Sequence, residues 1–180
     1  MSIPAGEYRF GPENSTLAIN TGRTGAVARA GHDLLIQVSS WEGTLAVADD
    51  PAQSRVDVTA DGSSLRVLEG TGGIQALDDD DRQNIRQTID DEVLHRTQVT
   101  FRSRSVEPTA SGLHVEGELH MLDHSHPLAF DVAADGGGSI EAVAVIKQTD
   151  FGMKPYTALF GALKVADAVR VTLTAQLPSA

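Results

Sequence analysis

The amino-acid sequence predicts an all-β protein, an up-and-down antiparallel barrel of about eight strands with one amphipathic helix packed at one end. Several segments alternate apolar and polar residues with a period of two, which is typical of strands with one buried face. Short turn-forming pieces such as PTASG and ADGGG separate consecutive strands, and consecutive hairpins build a meander. One segment, 79–94, has a helical period instead. We take residues 1–180 as one domain, because single β-barrels commonly reach this length.

The first strands show the alternation and one break in it. After a short run at 16–20, the apolar residues of 34–38 occupy even positions up to Ser39-Ser40, and those of 41–47 then occupy odd positions. This change of parity predicts a one-residue bulge, which bends a strand as closure of a barrel requires.

The next segment carries a turn signal. Val56 and Val58 alternate with polar residues, Asp61-Gly62 follows, and a second apolar run occupies 65–68. Because Asp-Gly between two such runs is typical of a tight two-residue turn, the pattern predicts a β-hairpin here.

The predicted helix, 79–94, has a single apolar stripe. Ile85, Ile89 and Val93 stand at i, i+4 and i+8, and the aspartates at 78–81 lie where a helix start favours anions and an N-cap residue. We expect this helix to pack against an open end of the barrel.

The second half of the chain continues the meander. Strands are predicted at 98–106, 113–121, 127–134 and 140–147, and the last strand alternates without a break from Val169 to Leu177. The segment 156–163, rich in Gly, Ala and large apolar residues, is predicted to be a loop or lid, and 24–30 a short helical turn.

The interior of this barrel is predicted to be thinly filled. An eight-stranded barrel is just wide enough to be filled by side chains or to hold one small ligand. Only 4% of the residues are aromatic, and the apolar strand positions include many Val and Ala residues. Two alternatives remain open on this pattern alone, a flattened barrel packed on itself and a hollow barrel lined with hydrocarbon.

Charge and composition exclude several partners and compartments. The net charge of −11 repels nucleic-acid phosphates and anionic lipid headgroups, and the absence of cysteine fits a reducing compartment. The longest purely apolar run, 142–146, is too short for a membrane span or a signal peptide. We therefore expect a soluble, cytoplasmic protein that does not bind nucleic acid.

Four histidines between 114 and 126 raise the alternative of a small metalloprotein or enzyme. His114 and His120 share the polar face of their strand with two glutamates, whereas His124 and His126 fall in the predicted turn, and no third ligand is specified. No nucleophile or zinc-hydrolase motif is present. We therefore expect no enzyme, no metal site and no cofactor. A further alternative is a protein-interaction module that uses the acidic helix.

Four sequence pieces resemble the YceI-like family of polyisoprenoid-binding proteins. They are GEYRFGPENSTLAI, AGHDLLIQVSSWEGTL, LHVEGELHMLDHSHPLAFDV and IKQTDFGM, and together the resemblance spans nearly the whole chain. Three positions depart from the family pattern, since Asp123 replaces a hairpin glycine, His124 a usual aliphatic residue and Gln148 a common basic residue. The resemblance implies a lipocalin-like barrel that binds an isoprenoid quinone or polyprenyl phosphate along its lumen, and a homodimer is compatible with it.

The leading hypothesis is a protein that carries or sequesters an isoprenoid lipid by apolar burial, without a catalytic group. A tail that buries about 400 Å² gains on the order of 10 kcal/mol before entropy costs, at roughly 25 cal/mol per Å². The predicted ligand-binding residues are inward-facing strand residues and three aromatic residues near a mouth: Ile36, Val38, Phe101, Leu119, Phe130, Ala144, Val171, Leu173, Phe151, Tyr156 and Phe160.

Overall fold

One antiparallel sheet of eleven strands curls around the core of the protein. The structure is a computed structural model that describes residues 3–135 and 137–177, and the count refers to these residues. The strands of this sheet, in chain order, are β1 (Gly6–Phe10), β2 (Ser15–Asn20), β4 (His32–Val38), β5 (Trp41–Val47), β6 (Arg55–Asp61), β7 (Leu65–Gly72), β8 (Gln98–Thr109), β9 (Gly112–Met121), β10 (His124–Ala134), β11 (Ser139–Lys147) and β14 (Ala168–Gln176). A small second sheet consists of β3 (Arg23–Thr24), β12 (Thr157–Ala158) and β13 (Leu163–Val165).

Three long strands of the sheet are each divided by a bend. Strand β1 pairs with β5 while β2 pairs with β4, and β6 pairs with β5 while β7 pairs with β4. The pairs β1 and β2, β4 and β5, and β6 and β7 therefore each form one long bent strand. The predicted all-β, up-and-down barrel fold is confirmed, although the number of strands is larger than the eight expected, because bends interrupt these three.

The pairing follows chain order around the curl. From the β6 and β7 strand it runs through β8, β9, β10, β11 and β14 and returns to β2. The segments β1 and β7 stand at the two ends of the sheet order. The helix packs beside β7 and so covers that edge strand of the sheet.

The bend between β4 and β5 lies where the parity of the apolar residues changes. Ser39 N donates to Ser64 O (3.0 Å) and Asp61 N donates to Ser40 O (3.0 Å), so both neighbouring long strands bend at the same level. Ile36, at 3% exposure, and Leu45, also at 3%, face the core on opposite sides of this bend.

The predicted hairpin at Asp61-Gly62 is wrong. Strands β6 and β7 do not turn back on each other, since β6 pairs with β8 and β5 and β7 pairs with β4. Gly62 N instead donates to Thr97 O (3.1 Å), and a Cβ on Gly62 would lie 2.3 Å from that oxygen. Glycine is needed here because another backbone segment approaches closely, not because a hairpin turn requires it.

The helix forms where the sequence predicts it but in two parts. Helix α1 spans Asp79–Thr88 and continues as one π-helical turn over Ile89–Val93, in which Leu94 N donates to Ile89 O (2.8 Å). Asp78 is the N-cap, and its carboxylate accepts from Asp81 N (2.8 Å) while Asp81 accepts from Asp78 N (3.2 Å). This reciprocal capping box fixes the start of the helix.

Two predicted irregular segments contain more structure than expected. Only Ala28–Ala30 of the predicted helical turn 24–30 is helical, as a 3₁₀ turn, and β3 precedes it. The predicted loop 156–163 contains β12 and the start of β13, and they join β3 in the small sheet.

The ends of the curled sheet differ in their packing. The register of β11 with β14, of β14 with β2 and of β4 with β7 places residues 21–31, 73–97 and 148–167 at one end, which we name the helix end. The opposite end, which we name the hairpin end, contains the β8–β9 connection and closely packed core residues. Val106, Leu113 and Val115 are there, at 2%, 3% and 0% exposure.

Candidate functional site

An apolar cavity of about 280 Å³ lies inside the curled sheet. Ligand pockets in proteins commonly span about 300–1,000 Å³, so this cavity is at the small end of that range. Its lining comes from most of the long strands and is almost entirely hydrocarbon. Phe101 and Phe130 meet inside it with ring centroids 5.2 Å apart, and they are its only aromatic pair within the described residues.

Eight of the eleven predicted ligand-binding residues line this cavity. Their side chains come from six strands, because inward-facing positions of neighbouring strands meet at the same level of a barrel. These residues are Ile36, Val38, Phe101, Leu119, Phe130, Ala144, Val171 and Leu173.

The other three predicted residues lie outside the cavity lining. Phe151 is buried at 3% exposure and packs edge-on against His126, with ring centroids 5.3 Å apart. Tyr156 and Phe160 are exposed, and Phe160 extends fully into solvent. Phe151 thus packs in the core beside the cavity, and the other two residues contribute to the outer surface of the helix end.

The C-terminal part of the helix roofs the cavity. Ile89, Val93 and Leu94 line it, whereas Ile85, one turn earlier, does not. The lining residues therefore belong to the π-helical turn and its C-cap. Asp61 and Gly62, at the bend between β6 and β7, line the cavity beside this turn. The sequence predicts that the helix packs against an open end of the barrel. In the structure, Ile89 and Val93 of its apolar stripe also form part of the cavity wall.

Gln148 is a polar exception in the lining. It is buried, its Nε2 donates to Ala166 O (2.9 Å), and its backbone N donates to Asp167 O (2.9 Å). These bonds hold the side chain against the backbone before β14, so part of its hydrogen-bonding capacity is already used inside the protein. Gln148 is one of the departures from the family pattern.

Asp61 places a negative charge at the rim. Its carboxylate accepts hydrogen bonds from the Ser63 hydroxyl (2.7 Å) and the Ser63 backbone N (2.8 Å). These bonds stabilise the charged form and lower the pKa of Asp61 below its usual 3.8. The rim is therefore anionic at neutral pH on the side of Asp61.

Many lining residues were not singled out from the sequence. They lie on the same alternating strand faces or on the helical stripe, but alternation reveals only the face of a strand and not the depth of a residue within the barrel. Examples are Leu17, Ile19, Val58, Ala60, Ile89, Val93, Val99, Met121, Leu128, Val132, Ile140, Ala142, Ile146 and Met153.

The histidine-rich hairpin has a different arrangement from the predicted one. The turn contains Leu122 and Asp123, which both have left-handed backbone conformations (φ 51° and 60°), and β10 already begins at His124. His124 and His126 are thus strand residues and not turn residues. His124 Nδ1 hydrogen-bonds to Leu122 O (2.7 Å).

The remaining histidines of this hairpin form ordinary surface contacts. His114 Nδ1 lies 2.7 Å from a carboxylate oxygen of Asp131, and His120 Nδ1 lies 3.0 Å from Ser125 Oγ. The hydrogen bond to Asp131, with a smaller contribution from Glu116, raises the pKa of His114 above its usual 6.5. Within residues 3–135 and 137–177, no three His, Cys, Asp or Glu side chains are arranged to hold a metal ion.

The fold and the cavity together define a class of protein. A curled, up-and-down antiparallel sheet around an apolar cavity with one helix across its end is a lipocalin-like barrel. No helix among the described residues is both long and apolar enough to cross a lipid bilayer.

The chain belongs to the YceI-like domain family, whose sequence model matches residues 8–177. This match confirms the resemblance drawn from the sequence, and the family is known as a polyisoprenoid-binding fold. Among proteins with curated descriptions, none matches the chain significantly.

Solved structures share the fold at low sequence identity. BcnA of Burkholderia cenocepacia superimposes with a TM-score of 0.63 at 15% identity, over 91% of this chain and 96% of that chain. The YceI protein of Campylobacter jejuni gives 0.51 at 15% identity, over 80% and 85% of the two chains. At these identities the likeness establishes the fold alone.

Proposed function

We propose that this protein binds a polyisoprenoid lipid in the cavity of its barrel and carries or sequesters it without chemical change. The observation that supports this most is the lining of the cavity, in which hydrocarbon side chains from strands and helix surround about 280 Å³ of space. Membership of the YceI-like family supports the isoprenoid class of ligand.

Burial of hydrocarbon is sufficient to hold such a ligand. At roughly 25 cal/mol per Å², a chain that buries about 400 Å² gains on the order of 10 kcal/mol before the entropy of binding is subtracted. Branched isoprene units fit a wall of Val, Leu, Ile and Ala side chains, and no charged partner is required along the chain.

The cavity restricts how much of the lipid is enclosed. Since its volume is at the lower end for ligand pockets, it holds a short chain or one part of a long chain. The polar headgroup then remains near the helix end, where Thr21, Asp61 and Gln148 are polar members of the lining. Because Asp61 is anionic, the neutral headgroup of an isoprenoid quinone fits this position better than that of a polyprenyl phosphate.

Native mass spectrometry of the purified full-length protein tests the proposal, followed by organic extraction and identification of any bound molecule. We expect a bound isoprenoid after purification from a bacterial host, or uptake of geranylgeraniol from detergent at one molecule per chain. Repeated preparations that contain no lipid and take up neither geranylgeraniol nor a short-chain quinone would overturn the proposal. The same spectra test the predicted homodimer, and cell fractionation tests the predicted cytoplasmic location.

A further inference from the structure

An exposed surface at the helix end combines apolar and basic side chains. Two chain segments form it, 20–32 and 151–166, and they are joined by the pairing of β3 with β13 and by a hydrogen bond from Val27 N to Ala162 O (3.1 Å). We name this surface the mouth patch and define it by seven side chains: Val27, Tyr156, Leu159, Phe160, Arg29, Lys154 and Lys164.

The apolar members of the mouth patch are unusually exposed. Phe160 is fully exposed, Leu159 is 57% exposed, Tyr156 45% and Val27 38%. Leu159 and Phe160 also adopt left-handed backbone conformations, with φ of 51° and 56°. Such conformations are unfavourable for residues with a Cβ, so the chain accepts local strain while it presents these two side chains to solvent.

The charge of the mouth patch is opposite to that of the whole protein. The chain has 25 acidic and 14 basic residues, yet segments 20–32 and 151–166 contain four basic residues and no acidic residue. Arg23 lies 3.7 Å from Asp33, whereas Arg29, Lys154 and Lys164 form no ion pair within the described part of the chain. The acidic start of α1 follows β7 at the same helix end, and Asp33, Asp150 and Asp167 directly flank the two segments, so the positive surface is confined to the mouth patch itself.

The same segment reaches from the mouth patch into the cavity. Met153, three residues before Tyr156, lines the cavity, and so does Gln148 just before the segment begins. The mouth patch therefore lies beside the helix end of the cavity and not on a distant wall of the barrel.

We propose that the mouth patch docks the protein onto the surface of an anionic lipid bilayer. Phe160 and Leu159 insert at the level of the headgroups, and the three unpaired basic side chains contact lipid phosphates. Exposed aromatic and aliphatic groups flanked by Lys and Arg are the features that bind proteins peripherally to such surfaces. The net charge of −11 disfavours this contact elsewhere on the protein, so it fixes the orientation of docking.

Docking goes beyond the proposed function and does not depend on it. It brings the helix end of the cavity to the bilayer, which is the place where a membrane-resident lipid would have to be collected or delivered.

Sedimentation with vesicles tests the docking. Wild-type protein is mixed with vesicles of equimolar phosphatidylglycerol and phosphatidylcholine, and separately with vesicles of phosphatidylcholine alone. We expect preferential binding to the anionic vesicles and weakening at high salt. Phe160→Ser is expected to lower the partition coefficient about tenfold and Lys164→Glu several-fold.

Matched controls separate docking from general effects of charge and apolar surface. Val145→Ser removes an apolar side chain that is 60% exposed on the wall of the barrel, and Arg102→Glu reverses an exposed charge on β8. Both variants should bind vesicles as the wild type does. The proposal is overturned if the wild type does not sediment with anionic vesicles, or if the control and patch variants lose vesicle binding equally.

Two further outcomes separate membrane docking from a protein interface and from the proposed lipid binding. If Phe160→Ser leaves vesicle binding intact but converts a dimer to a monomer in size-exclusion chromatography, the patch is a protein interface and the docking proposal fails. If the wild type binds vesicles but never takes up geranylgeraniol, the proposed lipid-binding function fails while the docking stands.

Discussion

Filling the cavity should abolish lipid uptake, and Ala144→Trp is the substitution that tests this most directly. Ala144 lies on β11 opposite Val171 of β14, and both residues line the cavity. A tryptophan side chain covers about 150–250 Å² of surface. If a bound lipid loses that area of contact, the loss at roughly 25 cal/mol per Å² is about 4–6 kcal/mol, which weakens binding about a thousandfold or more.

The control is the same substitution on the outer face of a strand. Ala129 on β10 is exposed and pairs with Glu116 of β9, so Ala129→Trp adds the same side chain to the outside of the barrel. Uptake of geranylgeraniol by native mass spectrometry should be lost in Ala144→Trp and retained in Ala129→Trp. Circular dichroism should show a β-sheet spectrum for both variants.

Unchanged uptake in a folded Ala144→Trp protein would refute the reasoning, since the ligand would then lie outside the cavity. If Ala144→Trp fails to fold, Val171→Phe provides a smaller filling of the same space from the opposite strand. Its uptake should fall less than that of Ala144→Trp but clearly below that of the wild type.

Three other predictions concern the bend, the hairpin and the roof. Gly62→Ala should lower the free energy of unfolding by about 2–3 kcal/mol in urea titrations, because its Cβ would lie 2.3 Å from Thr97 O and the backbone must shift. The NMR titration midpoint of His114 should lie above 6.5, and in Asp131→Asn it should return toward 6.5. The small stabilisation of the folded protein by protonated His114 should be fully present below pH 6.5 and should disappear as the pH rises through the raised pKa. Asp78→Ala should cost about 1 kcal/mol of helix stability and increase hydrogen exchange in the roof, because it removes the N-cap of α1.

Each of these predictions has a result that contradicts it. Gly137→Ala meets no atom closer than 3.5 Å and should be neutral, so equal losses in both glycine variants would exclude the close approach as the cause. A His114 midpoint at or below 6.5 would mean that the contact with Asp131 is not maintained in solution. Unchanged exchange rates in Asp78→Ala would show that packing alone holds the helix.

The fold was predictable because its information is local. Alternation identifies the strands and their inward faces, and the Ile85, Ile89 and Val93 spacing identifies the helix. The parity change at Ser39-Ser40 identifies a bend. The hairpin predicted at Asp61-Gly62 is wrong because the same dipeptide suits both a tight turn and a close approach between two backbone segments. Only the long-range contact with Thr97 distinguishes the two cases.

The sequence predicts an apolar cavity inside the barrel, but it identifies only part of the residues that line it. Inward-facing residues such as Ile36 and Phe101 followed from alternation. Val115 has the same alternation, yet it packs at the hairpin end away from the cavity. Whether an inward residue meets space or another side chain depends on its level in the barrel, which the strand registers determine. Phe160 was predicted near a mouth, but its outward orientation follows from a left-handed backbone that no local pattern indicates.

The solid packing of Val106, Leu113 and Val115 makes the barrel a blind tube. An elongated ligand that enters this tube from the helix end can advance only with its apolar terminus first. It must leave by the same path. Because the wall of the tube is hydrocarbon, the apolar end of such a molecule is buried and its polar end stays at the helix end. The closed hairpin end and the apolar wall together would then set which end of a bound molecule faces outward.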